Sequence, residues 1–527
     1  MHENRETSET PVAAVATGRR EKATSHKTRT HVSEGSDSGV VPVNGSNKDG
    51  RPSAESGEGR PLTKENTKQS HTRPTQRGES VSQRLSGVRK AAKARKKAKF
   101  TALLHHLTVP LLADSFYSLK RKAAPGVDGV RWGEYELGLE NRLKDLHSRV
   151  HRGAYQAQPS RRIYIPKADG RQRPLGIAAV EDKIVQQAVV TILNQIYEED
   201  FLGFSYGFRP GRSQHQAWDA LSVGLVRKKV NYVLDADIRG FFDNIDHEWM
   251  MRFIQHRVAD RRILRLIQKW LKAGVLEEGN RSETKVGTPQ GAVISPLLAN
   301  IYLHYVYDQW VEAWRKKLVK GDVIVVRYAD DTVMGFQYRA DADRFLEQLR
   351  ERMRKFGLEL HPEKTRRIEF GRYAERDRKK RGEGKPETFD FLGFTHIGGT
   401  NGTQGEFVVW RKSASKRMRV KLQQIKQQLR RRRHEPPAQT GKWLQSVVQG
   451  YFNYHAVPGN SYSLARFRAR VIRHWRSSLR RRSDRHRLSW SRFGRLAERW
   501  LPVQRILHPY PQVRFDARHI QGKSRVR

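Results

Sequence analysis

The 527-residue sequence predicts an α+β fold with an antiparallel sheet in its central part and amphipathic helices in its C-terminal part. Two short apolar runs, 323–326 and 333–336, are rich in β-branched residues, so each is predicted to be a strand of one hairpin. Residues 232–238 alternate enough to predict a third strand. Between 422 and 479, apolar residues recur at helical spacing and predict three helices.

The predicted hairpin carries two adjacent carboxylates, Asp330 and Asp331, at its tip. Two neighbouring carboxylates repel each other unless cations lie between them and a third group. Taken alone, the tetrapeptide 328–331 is also compatible with a solvated turn.

The third predicted strand presents Asp235 and Asp237 on one face, because side chains two positions apart point the same way. We select Asp237 as the partner of the hairpin acids. Asp243 and Asp246 follow Gly240, where the chain should leave the sheet, so they are interpreted as turn and helix-cap residues. Three carboxylates without His or Cys predict a site for two divalent cations and favour Mg²⁺ over Zn²⁺.

The segment GTPQG (287–291) predicts a loop that places Gln290 at the mouth of a pocket. We expect Ser295 to cap the helix that follows, with Pro296 in its first turn. An ordinary capped core helix would explain the apolar stripe after Pro296, but it would not explain the glycines before it.

Several segments together resemble the reverse-transcriptase blocks of bacterial group II intron-encoded proteins, the LtrA-like reverse transcriptase/maturases. AAPGVDGV (123–130) also resembles an N-terminal block shared with non-LTR retroelement polymerases. The resemblance runs from about residue 85 to about residue 515. In chain order, the seven blocks are RRIYIPKADGRQRPLGI (161–177), YGFRPGRS (206–213), ADIRGFFDNIDH (236–247), GTPQGAVISPLLANIYL (287–303), RYADD (327–331), LHPEKT (360–365) and FDFLGF (389–394).

The resemblance implies a right-handed polymerase with α+β fingers, an antiparallel palm sheet and an α-helical thumb. Its reaction would be RNA-templated DNA synthesis. Asp237, Asp330 and Asp331 would be catalytic and would hold two Mg²⁺ ions, with the carbonyl of Ile238 as a further ligand. FDFLGF would form the hairpin that grips the primer, although buried core aromatics would show the same pattern.

The resemblance also assigns a nucleotide pocket. Lys167 and Arg173 would clamp the triphosphate of the incoming dNTP, because both side chains donate to phosphate. Gln290 would line the pocket, and Phe242 would be the steric gate that excludes a 2′-hydroxyl. Lys364 matches a lysine that donates a proton near the active site, and a plain surface lysine remains an equal alternative.

The net charge of +47, from 102 Lys and Arg against 55 acids, points to a polyanionic partner. Residues 411–527 hold 31 Lys and Arg and 4 acids, a net charge of +27. The resemblance makes this region a thumb that doubles as the maturase, or X, domain. The expected partners are group II intron RNA as template and splicing substrate, a DNA target or primer, and dNTPs. The expected nucleic-acid contacts are Arg209, Arg212, Arg430, Arg431, Arg432, Arg433, Arg480, Arg481 and Arg482.

The predicted organisation is a disordered N-terminal arm (1–80), fingers and palm (81–395), thumb (396–510) and a basic tail (511–527). No apolar run reaches the roughly 18–20 residues of a membrane span, and the N-terminus lacks the hydrophobic core of a signal peptide. The absence of cysteine excludes disulfides and Cys-ligated zinc. Many members of the resembled family append an H-N-H endonuclease with paired cysteines. The resemblance, together with the absence of cysteine, therefore implies a bacterial, cytoplasmic, nucleoid-associated protein of the endonuclease-lacking lineages.

Two alternatives stay open at this level. A domesticated or diversity-generating reverse transcriptase would copy RNA without a splicing role, and intron RNA domains flanking the reading frame would argue against it. A catalytically inactive RNA-binding maturase would keep the basic thumb alone. The intact set of Asp237, Asp330 and Asp331 argues against that second alternative.

Overall fold

The computed structural model describes residues 76–166, 172–277, 280–282, 286–401, 405–482 and 488–518. The predicted disordered arm therefore lies outside the described residues up to position 75. From position 76 the chain is helical, and this first helix ends at Ala94.

The N-terminal half contains helices and two short strand pairs before the central sheet is complete. Its elements are α1 (Gln76–Ala94), α2 (Val109–Ser118), α3 (Trp132–Glu136), α4 (Leu139–Arg152), β1 (Ser160–Pro166), β2 (Gln172–Ile177), α5 (Val180–Asp200), α6 (Gln214–Arg227), β3 (Tyr232–Ala236), α7 (His247–Gln255), α8 (Arg261–Lys272), β4 (Val275–Glu277), β5 (Asn280–Ser282) and α9 (Ser295–Leu303).

The C-terminal half completes the sheet and then becomes mainly helical. A π-helical turn, His304–Asp308, follows α9 directly. The remaining elements are α10 (Gln309–Lys317), β6 (Val323–Tyr328), β7 (Asp331–Phe336), α11 (Arg339–Lys355), β8 (Arg366–Glu369), α12 (Ala374–Lys380), β9 (Phe389–Phe391), β10 (Phe394–Thr400), β11 (Phe407–Ser413), α13 (Ser415–Arg431), α14 (Pro437–His455), α15 (Ser461–Arg480), α16 (Trp490–Trp500) and α17 (Pro511–Asp516).

The described strands form three sheets, and the central one has the order β6-β7-β3-β8 with every pair antiparallel. The predicted α+β fold and the predicted hairpin are thus confirmed. A second sheet, β2-β1-β4-β5, lies earlier in the chain, and β11-β10-β9 precedes the C-terminal helices. The third predicted strand is shorter than expected, since β3 ends at Ala236.

Both faces of the central hairpin are buried, which explains why its strands are continuous apolar runs. All six side chains of β6 are buried. Val323 and Val325 enter one hydrophobic cluster, whereas Ile324 and Val326 enter a second on the opposite face. Full burial of such a side chain contributes roughly 1.5–3 kcal/mol. The tip of the hairpin is therefore held by a firmly packed base.

The three helices predicted in the C-terminal part are observed as α13, α14 and α15, and they share one core. Tyr451 of α14 stacks on Phe467 of α15 with ring centroids 3.6 Å apart. A fourth helix, α16, adds Phe493 to this core. None of the described helices is long and apolar enough to cross a membrane.

The first part of the segment expected to be a basic tail contains the helix α17. Its Arg514 donates to both carboxylate oxygens of Asp219 on α6, at 2.8 Å from Nη2 to Oδ1. Arg227 of α6 forms a second ion pair with Asp516, at 2.6 Å. Two ion pairs, one with its arginine on α17 and the other with its arginine on α6, thus attach α17 to α6.

Candidate active site

The tip of the central hairpin is a two-residue turn, Ala329 and Asp330, between the paired residues Tyr328 and Asp331. Ala329 adopts a left-handed backbone conformation with φ of 57°. Two-residue hairpin turns need a positive φ at their first central position, where glycine is the usual residue. The turn is therefore built on a conformation that alanine disfavours.

The hairpin and β3 bring three carboxylates together. Asp237 follows β3 directly, and the neighbouring pair Ala236 and Thr332 fixes β3 against β7. Carboxylate oxygens of Asp237, Asp330 and Asp331 all lie within 4.8 Å of one another, and all three side chains are partly exposed. The structure thus assembles the three acids that the sequence singled out.

The LHPEKT segment anchors Asp237 through backbone and side chain. The His361 N–H donates to the Asp237 carbonyl at 2.8 Å, and the Asp237 N–H donates to Thr365 Oγ1 at 3.4 Å. Lys364 Nζ donates to Asp237 Oδ2 at 2.7 Å, and its side chain is half exposed. The lysine predicted near the active site therefore lies beside one of the three carboxylates.

Asp235 differs from Asp237 in its surroundings, although both belong to the same predicted strand. It lies within β3, opposite Val333 on one side and Arg366 on the other. Burial, followed by the nearby Asp331 carboxylate, raises the pKa of Asp235 to about 7. The group of closely spaced carboxylates contains Asp237 with the two hairpin acids and does not include Asp235, so the geometry favours Asp237.

The donor set suits a hard divalent cation. Among the described residues, these three carboxylates form the one group of acids and histidines close enough to share a metal ion. Oxygen-only ligands of this kind are preferred by Mg²⁺ over Zn²⁺. Ile238, the further predicted ligand, is buried and bridges to Leu360 on the segment that anchors Asp237. A role for its carbonyl in metal binding remains a prediction.

Both acids interpreted as local structure are found in a turn or at a helix cap. The Asp246 carboxylate accepts the Trp249 N–H at 2.8 Å and caps α7. Asp243 lies in the short 3₁₀ turn Phe241–Asp243, which is also the turn that carries Phe242.

The GTPQG loop joins β2 to that turn. The Thr288 N–H donates to the Phe242 carbonyl at 2.8 Å, and the Gly176 N–H of β2 donates to the Gln290 carbonyl at 2.7 Å. The Gln290 side chain lies 3.5 Å from the Asp243 carboxylate. The loop therefore holds Gln290 close to the turn that carries Phe242.

The prediction that Ser295 caps α9 is wrong. Ser295 is the first residue of that helix, and Ile294 occupies the cap position without a side-chain bond. The Ser295 hydroxyl points back into the loop, where it lies 2.7 Å from Thr288 Oγ1 and 2.9 Å from the Pro289 carbonyl. Its bonds fix the GTPQG loop instead of the helix end.

Residues 165–396 match the protein family described as reverse transcriptase (RNA-dependent DNA polymerase). This part of the chain is a reverse transcriptase domain. All three clustered carboxylates, the GTPQG loop and the LHPEKT segment lie within it.

Similarity to individual proteins confirms the predicted resemblance to group II intron-encoded reverse transcriptases. The chain is 36% identical over 247 residues to Protein YkfC of Escherichia coli (strain K12), covering 41% of this chain and 64% of that protein. It is 38% identical over 207 residues to the Group II intron-encoded protein LtrA of Lactococcus lactis subsp. cremoris, covering 39% and 34%. A 91 kDa protein in the cob intron of Schizosaccharomyces pombe is 35% identical over 223 residues, covering 41% and 27%. The matched stretch thus spans less than two thirds of each relative.

Within the reverse transcriptase domain, the predicted nucleotide-binding residues are placed unequally. Phe242 is partly buried and packs edge-on against Phe241, with ring centroids 5.4 Å apart. Arg173 is partly exposed on β2, where it pairs with Ile165. Lys167 lies outside the described residues.

Arg209 does not lie on a nucleic-acid surface. It is 3% exposed, and its guanidinium binds the Glu198 carboxylate and the carbonyls of Leu202 and Ser205. A guanidinium committed to internal acceptors cannot also bind a phosphate, so its assignment as a nucleic-acid contact is corrected. Arg212 is partly buried over the Tyr206 ring and keeps some exposure.

The arginine clusters of the C-terminal helices lie at one end of the three-helix unit. The Ser478 hydroxyl of α15 donates to the Leu429 carbonyl of α13 at 3.1 Å, which brings the two helix ends together. Arg432 is held by Glu435 at 2.9 Å. Arg433 and Arg482 are partly buried, whereas Arg430, Arg431, Arg480 and Arg481 are exposed.

FDFLGF forms a β-hairpin, β9 to β10, with a turn at Leu392 and Gly393. The rings of Phe391 and Phe394 are buried at 3% and 0% exposure. These aromatic rings therefore belong to the core, which agrees with the alternative interpretation of the pattern. Only the backbone of the hairpin remains a candidate for contact with the primer.

One buried residue next to the hairpin turn could not be recognised from the sequence pattern alone. Arg327 is fully buried directly before Tyr328, and it contacts Asp308, Asn300 and Ser205. The available signal was a charged residue inside an otherwise apolar strand.

Proposed function

We propose that this protein is an RNA-directed DNA polymerase encoded by a group II intron, which copies intron RNA into DNA and assists splicing of that RNA. The observation that carries the proposal is the cluster of Asp237, Asp330 and Asp331 within a reverse transcriptase domain. Similarity to a group II intron-encoded protein supports the intron as the source of the template.

The chemistry proposed for this cluster is phosphoryl transfer. The primer 3′-oxygen attacks the α-phosphate of a dNTP, a new P–O bond forms, and pyrophosphate leaves. Asp237, Asp330 and Asp331 would hold two Mg²⁺ ions, which would stabilise negative charge on the reacting phosphoryl oxygens. Lys364, which lies beside Asp237, would place a positive charge near the reacting phosphate or donate a proton there.

The proposed nucleotide pocket lies beside the cluster. Phe242 would exclude the 2′-hydroxyl of a ribonucleotide, and Gln290 would line the pocket on the loop that holds Phe242 in place. Arg173 and Lys167 would bind the triphosphate. The substrate preferred by this arrangement is a dNTP.

The proposed splicing role depends on the basic helices α13 to α16. Residues 411–527 carry a net charge of +27, and the exposed Arg430, Arg431, Arg480 and Arg481 lie at one end of this unit. Phosphate contacts of this kind supply most of the affinity for RNA. The proposed partners are intron RNA and a DNA target, which would place the protein at the bacterial nucleoid.

Primer extension on an RNA template tests the polymerase. Asp330→Asn keeps the size of the side chain and removes its charge, so it should reduce extension in Mg²⁺ to below a few per cent of wild type while leaving RNA affinity unchanged. Asp145→Asn, at an exposed acid on α4, is the matched control and should extend normally. Extension by Asp330→Asn at more than a few per cent of the wild-type rate would contradict the assignment.

A further inference from the structure

Arg327 uses every donor of its guanidinium inside the protein. Nε and Nη2 bind the two carboxylate oxygens of Asp308 at 2.7 and 2.6 Å. Nη1 donates to Asn300 Oδ1 at 3.2 Å, and Nη2 donates to Ser205 Oγ at 2.6 Å. Both Arg327 and Asp308 are fully buried, at 1% and 0% exposure. This is a complete fork of charge-assisted bonds.

The remaining Arg327 bond reaches the catalytic turn itself. Nη1 donates to the carbonyl of Ala329 at 2.9 Å, which is the peptide group that joins Ala329 to Asp330. Ala329 has a φ of 57°. An alanine occupies this left-handed conformation roughly 5–30-fold less readily than a right-handed one. A bond to this carbonyl from a fixed donor therefore opposes reversal of the turn.

A second contact with the turn comes from the backbone of Gly207. A Cβ on Gly207 would lie 2.2 Å from the backbone nitrogen of Ala329, so only glycine permits this approach. Asn300 Nδ2 donates to the Gly207 carbonyl at 2.8 Å, and the same side chain accepts from Arg327. One asparagine thus links the guanidinium to the backbone that packs on the turn.

Two of the side chains that bind Arg327 come from one helical segment that contains a local irregularity. Asn300 lies on α9, and Asp308 ends the π-helical turn that follows it. A π-turn inserts an extra residue into the helix and re-aims the side chains after it, and such turns are frequent at functional sites. Here Asp308, the last residue of the π-turn, supplies the carboxylate that binds Arg327.

We propose that Arg327 is a positioning residue, which with Asp308 and Asn300 fixes the left-handed turn at Ala329 and so places the Asp330 and Asp331 carboxylates beside Asp237. The inference deepens the proposed function and depends on it for the catalytic readout. Stability alone is a poor account of this group, because buried ion pairs are often no more stabilising than apolar residues of similar volume.

Arg327→Lys tests the role because lysine keeps the buried charge and loses the fork. We expect kcat for primer extension to fall at least tenfold with little change in KM for dNTP. Mn²⁺ affinity of the protein alone, followed by the electron paramagnetic resonance signal of free Mn²⁺, should fall at least threefold. Asn300→Ala removes the hydrogen bonds to Arg327 and to the Gly207 carbonyl, so it should also lower kcat and Mn²⁺ affinity.

The matched control is Arg257→Lys. Arg257 is equally buried, at 3% exposure, and binds Asp200 and the carbonyls of Arg95 and Ala98 away from the turn. Its replacement should lower the melting temperature without changing kcat or Mn²⁺ affinity. Loss of Mn²⁺ affinity in Arg257→Lys equal to that in Arg327→Lys would overturn the proposal.

A rescue separates positioning from a merely structural role. Glycine adopts a positive φ without penalty, so Ala329→Gly in the Arg327→Lys background should restore kcat and Mn²⁺ affinity at least threefold. A double variant no better than Arg327→Lys, or an Arg327→Lys protein that binds Mn²⁺ like wild type, would overturn the inference. Absence of DNA synthesis by wild type would instead reject the proposed function. The Mn²⁺ affinities would still test whether Arg327 positions the carboxylates.

Discussion

At the scale of single residues, Phe242 is the side chain on which substrate choice should depend. Its carbonyl is bound by the Thr288 N–H, so the turn that carries the ring is held by the GTPQG loop. The ring is partly buried against Phe241. A side chain held at its backbone and packed against its neighbour can act as a rigid wall of the proposed nucleotide pocket.

Phe242→Ala should admit ribonucleotides, because it removes the wall beneath the sugar. We expect the preference for dGTP over GTP, compared as kcat/KM on one RNA template, to fall at least tenfold. Phe242→Tyr retains the ring and is the matched control, with a preference close to that of wild type. An unchanged preference in Phe242→Ala would place the gate at another residue.

Residues of the acidic cluster were predictable, whereas their internal supports were not. Asp237, Asp330 and Asp331 stand next to strands whose period-two pattern and turn position are local properties of the sequence. Arg327 and Asp308 are nineteen residues apart in the chain, and no spacing rule connects them. The prediction that Arg209 contacts nucleic acid is wrong for a similar reason. The sequence does not distinguish an exposed arginine from a buried one, and only the fold shows that Glu198 is its acceptor.

At the scale of elements, helices with a clear apolar stripe were predicted, and elements fixed by distant charge pairs were not. The three helices predicted from apolar stripes between 422 and 479 are observed as α13, α14 and α15. By contrast, α17 has few apolar residues, and its ion pairs reach α6, nearly three hundred residues earlier. Tertiary partners of this kind leave no periodic signal in the sequence.

Strand β10 contains a buried histidine that should make the fold sensitive to acid. His396 is fully buried and stacks on Phe389, with ring centroids 4.7 Å apart. Burial, followed by the nearby Arg411 guanidinium, lowers the pKa of His396 to about 3. Below pH 6.5 the His396 imidazole becomes protonated in the unfolded state, whereas in the folded state it stays neutral until the pH approaches 3. The contribution of His396 to stability is therefore present above pH 6.5 and is lost as pH falls towards 3.

His396→Phe should weaken this acid sensitivity, because phenylalanine can keep the stacking without a titratable group. We expect the loss of unfolding free energy between pH 7 and pH 5.5 to be smaller by about 1 kcal/mol than in wild type. Urea unfolding at the two pH values, followed by circular dichroism, measures the difference. His434→Phe, at an exposed histidine on the same half of the chain, should leave the pH dependence unchanged. An equal loss in His396→Phe and wild type would contradict the expectation.

At the scale of the whole molecule, the acidic cluster and the largest basic excess lie in different parts of the chain. The acidic cluster lies in the reverse transcriptase domain at 165–396, whereas the largest basic excess follows it in residues 411–527. Carboxylates that hold cations serve phosphoryl transfer, and arginines that meet phosphates serve RNA affinity. The two proposed functions therefore require different residues, and each should be removable without the other.

Reciprocal variants test this separation. A double Asp237→Ala, Asp330→Ala protein should make no cDNA and still promote splicing of its own intron at moderate Mg²⁺, because the intron RNA would carry out splicing. Arg430→Glu, Arg431→Glu should retain metal binding but lose affinity for the intron. The salt dependence of its RNA binding should also flatten, by about 0.7–0.9 in slope for each phosphate that the variant no longer binds.

The measurements are splicing of precursor RNA, cDNA synthesis and RNA affinity at several salt concentrations, made on wild type and on each folded variant. Lys379→Glu, Lys380→Glu makes the same change of charge at two exposed residues of α12, and it should behave like wild type in all three. Because the control has equal net charge, a shared loss of affinity would assign RNA binding to overall charge and not to the end of α13. Loss of splicing in the Asp237→Ala, Asp330→Ala protein would show that the acidic cluster serves both reactions and that the two functions are not separable.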